Sequence, residues 1–292
     1  MGNTSTTTLT EHSMQIKTLS GVSHEKILAV FNSAFSDYLV PLQLTSEQLA
    51  TKMKADGTEL SLSCGVFENE QLVAFILHGV DTIKGEKVAY NGGTGVVPSK
   101  RGMRLTTKMY EFILPVLVSK GITRIVLEVI TNNVPALKAY QGVGFKTKRE
   151  LLCYKGDELD YLQKGPAILK PLANYHWELL ESFGQVKPSW QYTTRAITAS
   201  SSANIALGAY LKNELTGYII FTPSTKRIQQ IAVKPDYRRK GIASQLVGSI
   251  LHDYGNPVFV INVDKNANAL NAFLTKMGLV LQLKQFEMEL LL

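Results

Sequence analysis

The chain carries its own pattern twice. The stretches "VVPSKRGMRLT" (96–106) and "VKPDYRRKGIA" (233–243) start 137 positions apart, Val96 to Val233, and each joins a strand-like apolar run to an amphipathic helical pattern. Aligning Val96-Val97-Pro98 with Val233-Lys234-Pro235 brings the two following helices into step without a gap, and later segments need small adjustments. So long a period is a domain duplication, not a solenoid repeat, whose unit is one short supersecondary element. A length of 292 residues suits two ordinary domains.

The spacing predicts the same element order in both copies. In the first, "MQIKTLS" reads as a strand and "SHEKILAVFNSAF" as a Ser-capped helix with Ile27, Leu28, Phe31 and Phe35 on one face. "TSEQLATKMKADG" is a second helix stopped at Gly57. "LSLSCGVFENEQLVAFILHGV" is a hairpin turning at Glu68-Asn69-Glu70, and "KVAYNGGTGVVP" a Gly-rich strand. A helix from about Arg101 to Ser119 is bent or ended near Pro115. "RIVLEVI" is a continuous apolar strand expected to be buried on both faces, followed by the helix "NVPALKAYQGVGF" and the strand "FKTKRELLCY". The second copy runs from the short helix in "YHWELLESFGQVKPSW" through a hairpin, strand, helix, strand and helix to the closing strand "VLQLKQFEMELLL". The expected organisation is a leader over 1–13, a first domain over 14–155, a linker over 156–171 and a second domain over 172–292.

Charge narrows the partners. The net charge is +7; residues 1–155 carry 17 basic and 13 acidic side chains and residues 156–292 carry 14 and 11, so the excess is shared between the halves. Dense basic stripes and aromatic platforms are missing from the pattern, which argues against nucleic acid and suits a small polyanionic ligand. No apolar run is long enough for a membrane span. Five scattered His and two Cys, at 64 and 153, give neither metal-ligand spacing nor a disulfide framework, and two thiols in apolar strands read as buried and free in a reducing compartment, the cytoplasm. The leader "MGNTSTTTLTEHS" reads as a polar disordered segment, although Gly2 and Thr6 also fit a loose myristoylation pattern.

The strand-to-helix junctions carry the chemistry. A helix start presents unpaired amides and about half a positive charge, and behind a Gly-containing turn those amides can converge on a phosphate. Over 238–243, Arg238, Arg239, Lys240, Gly241, Ile242 and Ala243 combine cations with small residues that admit close backbone approach. Over 101–106 the same places hold Arg101, Gly102, Met103, Arg104, Leu105 and Thr106, where Arg104 instead of Gly and Thr106 instead of Ala make a more crowded approach.

These junctions, with a downstream apolar strand and an "N-x-x-A-x-x-x-Tyr/Phe…Gly" pattern, resemble the Gcn5-related N-acetyltransferase family. The resemblance covers nearly the whole chain, twice. It rests on Val233, Pro235, Arg238, Gly241, Ala243, Asn266, Ala269, Phe273 and Gly278 in one copy. In the other it rests on Val96, Pro98, Arg101, Asn133, Ala136, Tyr140, Gly144 and Phe145. It implies an α/β fold of two tandem domains, each a central, mostly antiparallel sheet flanked by helices. It also implies acetyl-CoA as donor, its pyrophosphate on the loop amides and its pantetheine arm along the preceding strand, at Thr94, Gly95 and Val96 or at Ile231, Ala232 and Val233, with Asn133 and Asn266 nearby. The acceptor implied is a small-molecule or peptide amine.

Acetylating an amine requires the neutral amine, and for a lysine-like group deprotonation at pH 7 costs about 4–5 kcal/mol. "LEVITNNVPALKAY" resembles the ribosomal-protein N-acetyltransferase branch, which implies Glu128 as base and Tyr140 as acid twelve positions later. The plain alternative is an exposed strand carboxylate and a core-edge aromatic. The corresponding places in the second copy hold Ile261 and Phe273, which move no proton. Chemistry is therefore expected in the first copy. The alternatives are chemistry in the second, or a non-catalytic CoA-binding module. Asp37 and Tyr38 end the first helix where the family builds its acceptor pocket; they read equally as substrate contacts and as a helix-end cap. Trp190 in "KPSWQY" reads as packing.

Overall fold

The computed structural model describes residues 14–38, 42–159, 165–184 and 187–292. The polar leader with Gly2 and Thr6, and the middle of the expected linker at 160–164, lie outside the described residues. The first copy contributes β1 (Met14–Thr18), α1 (His24–Ala34), α2 (Ser46–Asp56), β2 (Cys64–Glu68), β3 (Gln71–Ile83), β4 (Glu86–Val96), α3 (Leu105–Ser119), β5 (Ile122–Ile130), α4 (Val134–Val143) and β6 (Lys146–Gly156). The second contributes β7 (Ile168–Pro171), α5 (Trp177–Phe183), α6 (Thr194–Ala199), β8 (Ile205–Leu211), β9 (Glu214–Thr222), β10 (Arg227–Val233), α7 (Ile242–Tyr254), β11 (Val258–Asp264), α8 (Asn268–Lys276) and β12 (Val280–Leu291). This is the mixed α/β architecture the duplication implies. The chain packs as two compact units: one of residues up to 50, 58–123 and 292, the other of 51–57 and 124–291.

In the first unit β1, β2, β3 and β4 are neighbours in that order, all antiparallel. The hairpin expected around Asn69 closes with Glu68 opposite Gln71. Asn69 and Glu70 both have positive φ, the geometry that matches a two-residue turn to strand twist. Helix α1 starts at the Ser23 cap, whose hydroxyl accepts from the Lys26 amide, and its Phe31 ring stacks on Phe75 of β3. The Gly-rich stretch of β4 follows from this packing. A Cβ at Gly95 would come within 2.5 Å of the Phe75 ring and 2.8 Å of the Ala34 Cβ. Pro115 does not end α3: the helix continues to Ser119, so the proline costs one backbone hydrogen bond without stopping the helix.

In the second unit the order is β5-β12-β6-β11-β10-β9-β8-β7. Strand β9 is buried on both faces: Ile219 and Phe221 pack with Leu246 and Ile250 of α7, while Tyr218 and Ile220 pack with Leu180 and Phe183 of α5. Strand β5, expected to be buried on both faces, alternates instead. Ile125, Leu127 and Val129 are buried, and Arg124, Val126, Glu128 and Ile130 are partly exposed, so the even positions form an accessible face. Strand β7 falls within the expected linker and pairs with β8, Pro171 lying on an edge strand as a residue without an amide proton must.

The last strand of each copy pairs with the other copy. Strand β6 lies between β11 and β12, with Tyr154 opposite Val260 and Leu151 opposite Gln285. Strand β12 lies between β5 and β6, with Glu287 opposite both Glu128 and Arg149. The compact units and the sequence repeats therefore divide the chain at different places. Cys64 and Cys153 are buried and free, as their apolar strands suggest.

His78 on β3 is fully buried; its Nδ1 lies 2.8 Å from the Leu62 carbonyl, while its Nε2 has no hydrogen-bond partner among the described residues. Burial drives its pKa down to about 4, against a small opposing effect of the Leu62 bond. The native state thus takes this proton later than the unfolded chain, whose histidine titrates near 6.5. The stability contributed by a neutral His78 is present above about pH 6.5 and is lost as pH falls toward 4. In a His78→Asn variant, which keeps a short amide donor, the fall in Tm between pH 7 and pH 5 should be smaller than in the wild type.

Candidate functional site

The two strand-to-helix junctions share one backbone path. Each begins with a single 3₁₀ turn, Pro98–Lys100 or Pro235–Tyr237. Arg101 and Arg238 follow in extended conformation, with φ of −69° and −66°. Two left-handed residues come next: Gly102 and Arg104 in the first copy (φ 82° and 56°), Arg239 and Gly241 in the second (62° and 84°). The glycine has changed places but both positive-φ positions persist. Arg104 therefore adopts the conformation of Gly241, and the crowding expected at 101–106 does not alter the path. Upstream, a bulge interrupts each preceding strand at positions that differ by the same offset as the junctions, Gly92 on β4 and Gln229 on β10.

The cations divide into structural and free. Arg238 donates from Nε to the Val233 carbonyl (3.0 Å) and from Nη2 to the Phe183 carbonyl at the end of α5 (2.8 Å). Arg101 makes the matching bonds to Val96 (3.3 Å) and to Ala34 at the end of α1 (2.9 Å). Each arginine ties the loop to the C-terminus of its copy's first helix, and its own amide closes the 3₁₀ turn on Pro98 (3.3 Å) or Pro235 (3.2 Å), so its role is structural. Arg101 also holds Asp37 through two bonds of 2.7 Å, and this guanidinium keeps the Asp37 carboxyl below its ordinary pKa. Asp37 is therefore committed to the loop, and Tyr38 packs edge-on against Phe35. Lys234 pairs with Glu214, and Lys240 lies over the Tyr237 ring. Arg239 is exposed and forms no ion pair among the described residues. Met103 is exposed, whereas Leu105 and Ile242 bury their side chains and can contribute only backbone.

Just before the bulge, β10 and β11 run parallel and pair at Arg227 opposite Phe259. Beyond that point they make no further pairs among the described residues, which leaves the edge of β10 at Ile231, Ala232 and Val233 open toward the gap. On β4, Thr94, Gly95 and Val96 pair with Ile76, Phe75 and Ala74 of β3, and the Thr94 hydroxyl accepts from Asn91 (2.8 Å). Asn133 caps α4, its side chain accepting from the Ala136 amide (3.2 Å). Asn266 does not take the matching role: Ala267 caps α8, and Asn266 is exposed with its amide on Asp264 (2.8 Å).

Glu128 lies half-buried on the accessible face of β5, and Tyr140 is buried on α4; both belong to the second unit. The Tyr140 side chain is 8% exposed and its ring stands edge-on to Phe145 at 5.7 Å. Ile261 is partly buried, and Phe273 packs against the core around α7. Directly across from Glu128 stands Glu287, whose carboxylate takes two bonds from Arg149, 3.0 Å from Nε and 2.7 Å from Nη2. The remaining donors of Arg149 reach Asp264 (3.0 Å) and the carbonyls of Lys187 (2.7 Å) and Pro188 (3.2 Å), so all five N–H groups are used. The segment fixed in this way continues into Trp190 and Tyr192, both buried. Trp190 donates to the Asp56 carbonyl (3.0 Å), the packing role expected of it. Arg149, Glu287 and Tyr192 are not legible in the sequence, because each owes its place to a strand of the opposite copy, and Arg149 stands between Lys148 and Glu150 in a charged run that marks none of them out.

The model of the acetyltransferase (GNAT) family matches residues 27–145 and 170–279. The fold is similar to that of a tandem GNAT protein from the clavulanic acid biosynthesis pathway (TM-score 0.72, 10% identity, 96% of this chain and 98% of the other). It is also similar to a putative acetyltransferase from Pyrococcus horikoshii (0.69, 11%, 96% and 89%) and a GCN5-related N-acetyltransferase from Sphaerobacter thermophilus (0.69, 12%, 95% and 95%). A comparison with curated protein sequences finds no match. No group of His, Cys, Asp or Glu among the described residues could hold a metal ion, and none of their helices is long and apolar enough to cross a membrane.

Two substitutions test the local energetics. Arg104→Gly should raise stability by about 1 kcal/mol, since a left-handed non-glycine residue carries a penalty of that order, and should leave the loop path unchanged. Arg149→Met should destabilise by about 3–5 kcal/mol in urea melts, because it strands two partly buried carboxylates, Glu287 and Asp264.

Proposed function

Because the chain belongs to the acetyltransferase (GNAT) family, whose members use acetyl-CoA and act on amines, we propose that it moves acetyl from acetyl-CoA to a primary amine by direct attack in a ternary complex. The observation that carries this reading is the loop path held in common by the two junctions, with its paired left-handed residues and an arginine tether to the first helix. That path leaves the first-turn amides of α3 and α7 without intrahelical acceptors, a donor set that fits a pyrophosphate. At Gly241 a Cβ would meet nothing within 4 Å, so the backbone there is open to a ligand. In the second copy the exposed Arg239 and Lys240 add positive charge beside those amides, and the divergence of β10 from β11 leaves room for an extended arm.

Acetyl-CoA, when bound, supplies the acetyl thioester. We assign proton transfer to the first copy. Glu128, half-buried and facing solvent from β5, takes the amine proton directly or through water, which makes the nitrogen a nucleophile. The C–N bond forms, the C–S bond breaks, and Tyr140 gives its proton to the departing sulfur. The absence of any ionisable side chain at Ile261 and Phe273 supports the choice of copy. The first copy's own amides, at Thr94 to Val96 and Gly102 to Thr106, hold the reacting cofactor, and the second copy, with the more open loop, binds CoA too and supports the first.

Glu128→Gln and Tyr140→Phe should each lower kcat at least tenfold, as expected for lost general catalysis. The assay is thiol release from acetyl-CoA with a panel of primary amines: a lysine peptide, a polyamine and an aminoglycoside. Unchanged turnover in both variants overturns the assignment. Gly241→Trp separates the copies. Loss of turnover in Gly241→Trp together with unchanged turnover in Glu128→Gln moves the chemistry to the second, and CoA binding by calorimetry without transfer to any amine would make the protein a binding module.

A further inference from the structure

The second copy buries a hydroxyl, without a partner among the described residues, in the segment that Arg149 ties to Glu287. Tyr192 is 5% exposed, and its hydroxyl oxygen is buried without a hydrogen-bond partner among the described residues. Buried polar atoms are rarely left so; a water with two to four polar neighbours is the usual complement. The ring is held at both ends of its segment. The Arg149 bonds fix Lys187 and Pro188 beside Glu287, and the Tyr192 carbonyl accepts from the Gln230 side chain (2.8 Å), itself fixed by the Tyr218 hydroxyl (2.9 Å).

Arg227, Cys153 and Glu128 act electrostatically on the phenol, and the geometric tie to Glu128 is Glu287, which stands opposite it and is bonded to the same Arg149 that holds Lys187 and Pro188. Cys153 belongs to a polar cluster. The Asn262 amide donates to its sulfur (3.5 Å), and the Gln285 side chain lies 3.5 Å from that sulfur while donating to Asn262 Oδ1 (2.8 Å). Asn262 reaches this position with a φ of 59°, at the irregularity in β11 between Val260 and Val263. Three polar side chains from β6, β11 and β12 thus meet on the side of the sheet that carries Glu128, and the segment bearing Tyr192 is tied to that side through Arg149. Burial holds the Tyr192 phenol protonated well above its ordinary pKa, so it acts as a donor.

We propose that Tyr192, backed by the Cys153–Asn262–Gln285 cluster, is a positioning residue that holds the water through which Glu128 takes the amine proton. The inference rests on the reading of Glu128 as base. The duplication then has a mechanistic use: the copy that lacks a proton-transfer pair orients the pair of the other.

A crystal structure of the full chain at a resolution that shows ordered water should place one on the Tyr192 hydroxyl and the Glu128 carboxylate. A hydroxyl with no such water, or one bonded to a protein group, overturns the proposal whatever Glu128 does. Tyr192→Phe retains the ring and should lower kcat about tenfold with the KM for acetyl-CoA unchanged. Added to Glu128→Gln it should cost nothing further, as for residues acting as a unit. If Glu128→Gln is slow while Tyr192→Phe turns over normally, or if the two losses simply multiply, the water relay is overturned and the base assignment stands. If Glu128→Gln turns over normally, the base assignment fails and the relay fails with it.

Discussion

The second unit is organised around the guanidinium of Arg149. Its side chain is 13% exposed, and a cation so placed is stable only when its hydrogen bonds are complete. Completion here requires β6, β11, β12 and the backbone before Trp190 to be in place together. The chain has placed β6 from the first copy against β11 and β12 from the second, and Arg149 can saturate its donors in no less assembled state. The ion cluster and the strand exchange are one constraint seen twice.

The exchange also changes what the copies are. A duplicated acetyltransferase could keep two self-sufficient sheets. Here β12 brings Glu287 opposite Glu128, and β6 brings Cys153 to the β11 of the other copy. The face bearing the proposed base is therefore built from both halves, and an alteration in the second half reaches the first without crossing a linker. The loss of proton-transfer side chains at Ile261 and Phe273 is consistent with such a division, in which one half keeps chemistry and the other keeps ligand binding and orientation.

Much of the fold was legible because its signals are local. The Ser23 cap, the Asn69 turn, the apolar spacing of α1 and the offset between Val96 and Val233 all act over a few residues or depend on repetition. Two expectations met a non-local cause instead. The apolar character of β5 suggested burial on both faces, yet its even positions remain accessible. The cations at 234 and 238–240 suggested four charges for a polyanion, yet Arg238 is consumed by the end of α5 and Lys234 by Glu214, leaving Arg239 and Lys240, the latter resting on the Asp236 carbonyl. Residue type showed that a phosphate could be held at the junction; only packing showed which groups are spare.

The sequence by itself determined the duplication, the family resemblance, the two junctions and the spacing of Glu128 from Tyr140, since each is a pattern in residue order. The tertiary structure decided which strand lies beside which, that Arg104 accepts the left-handed conformation of a glycine, that Asp37 answers to Arg101, and that the Tyr192 hydroxyl is buried without a protein partner among the described residues. These depend on contacts between residues far apart in the chain. Such contacts are set by the closing of a sheet and the saturation of buried charge, and residue order does not display either.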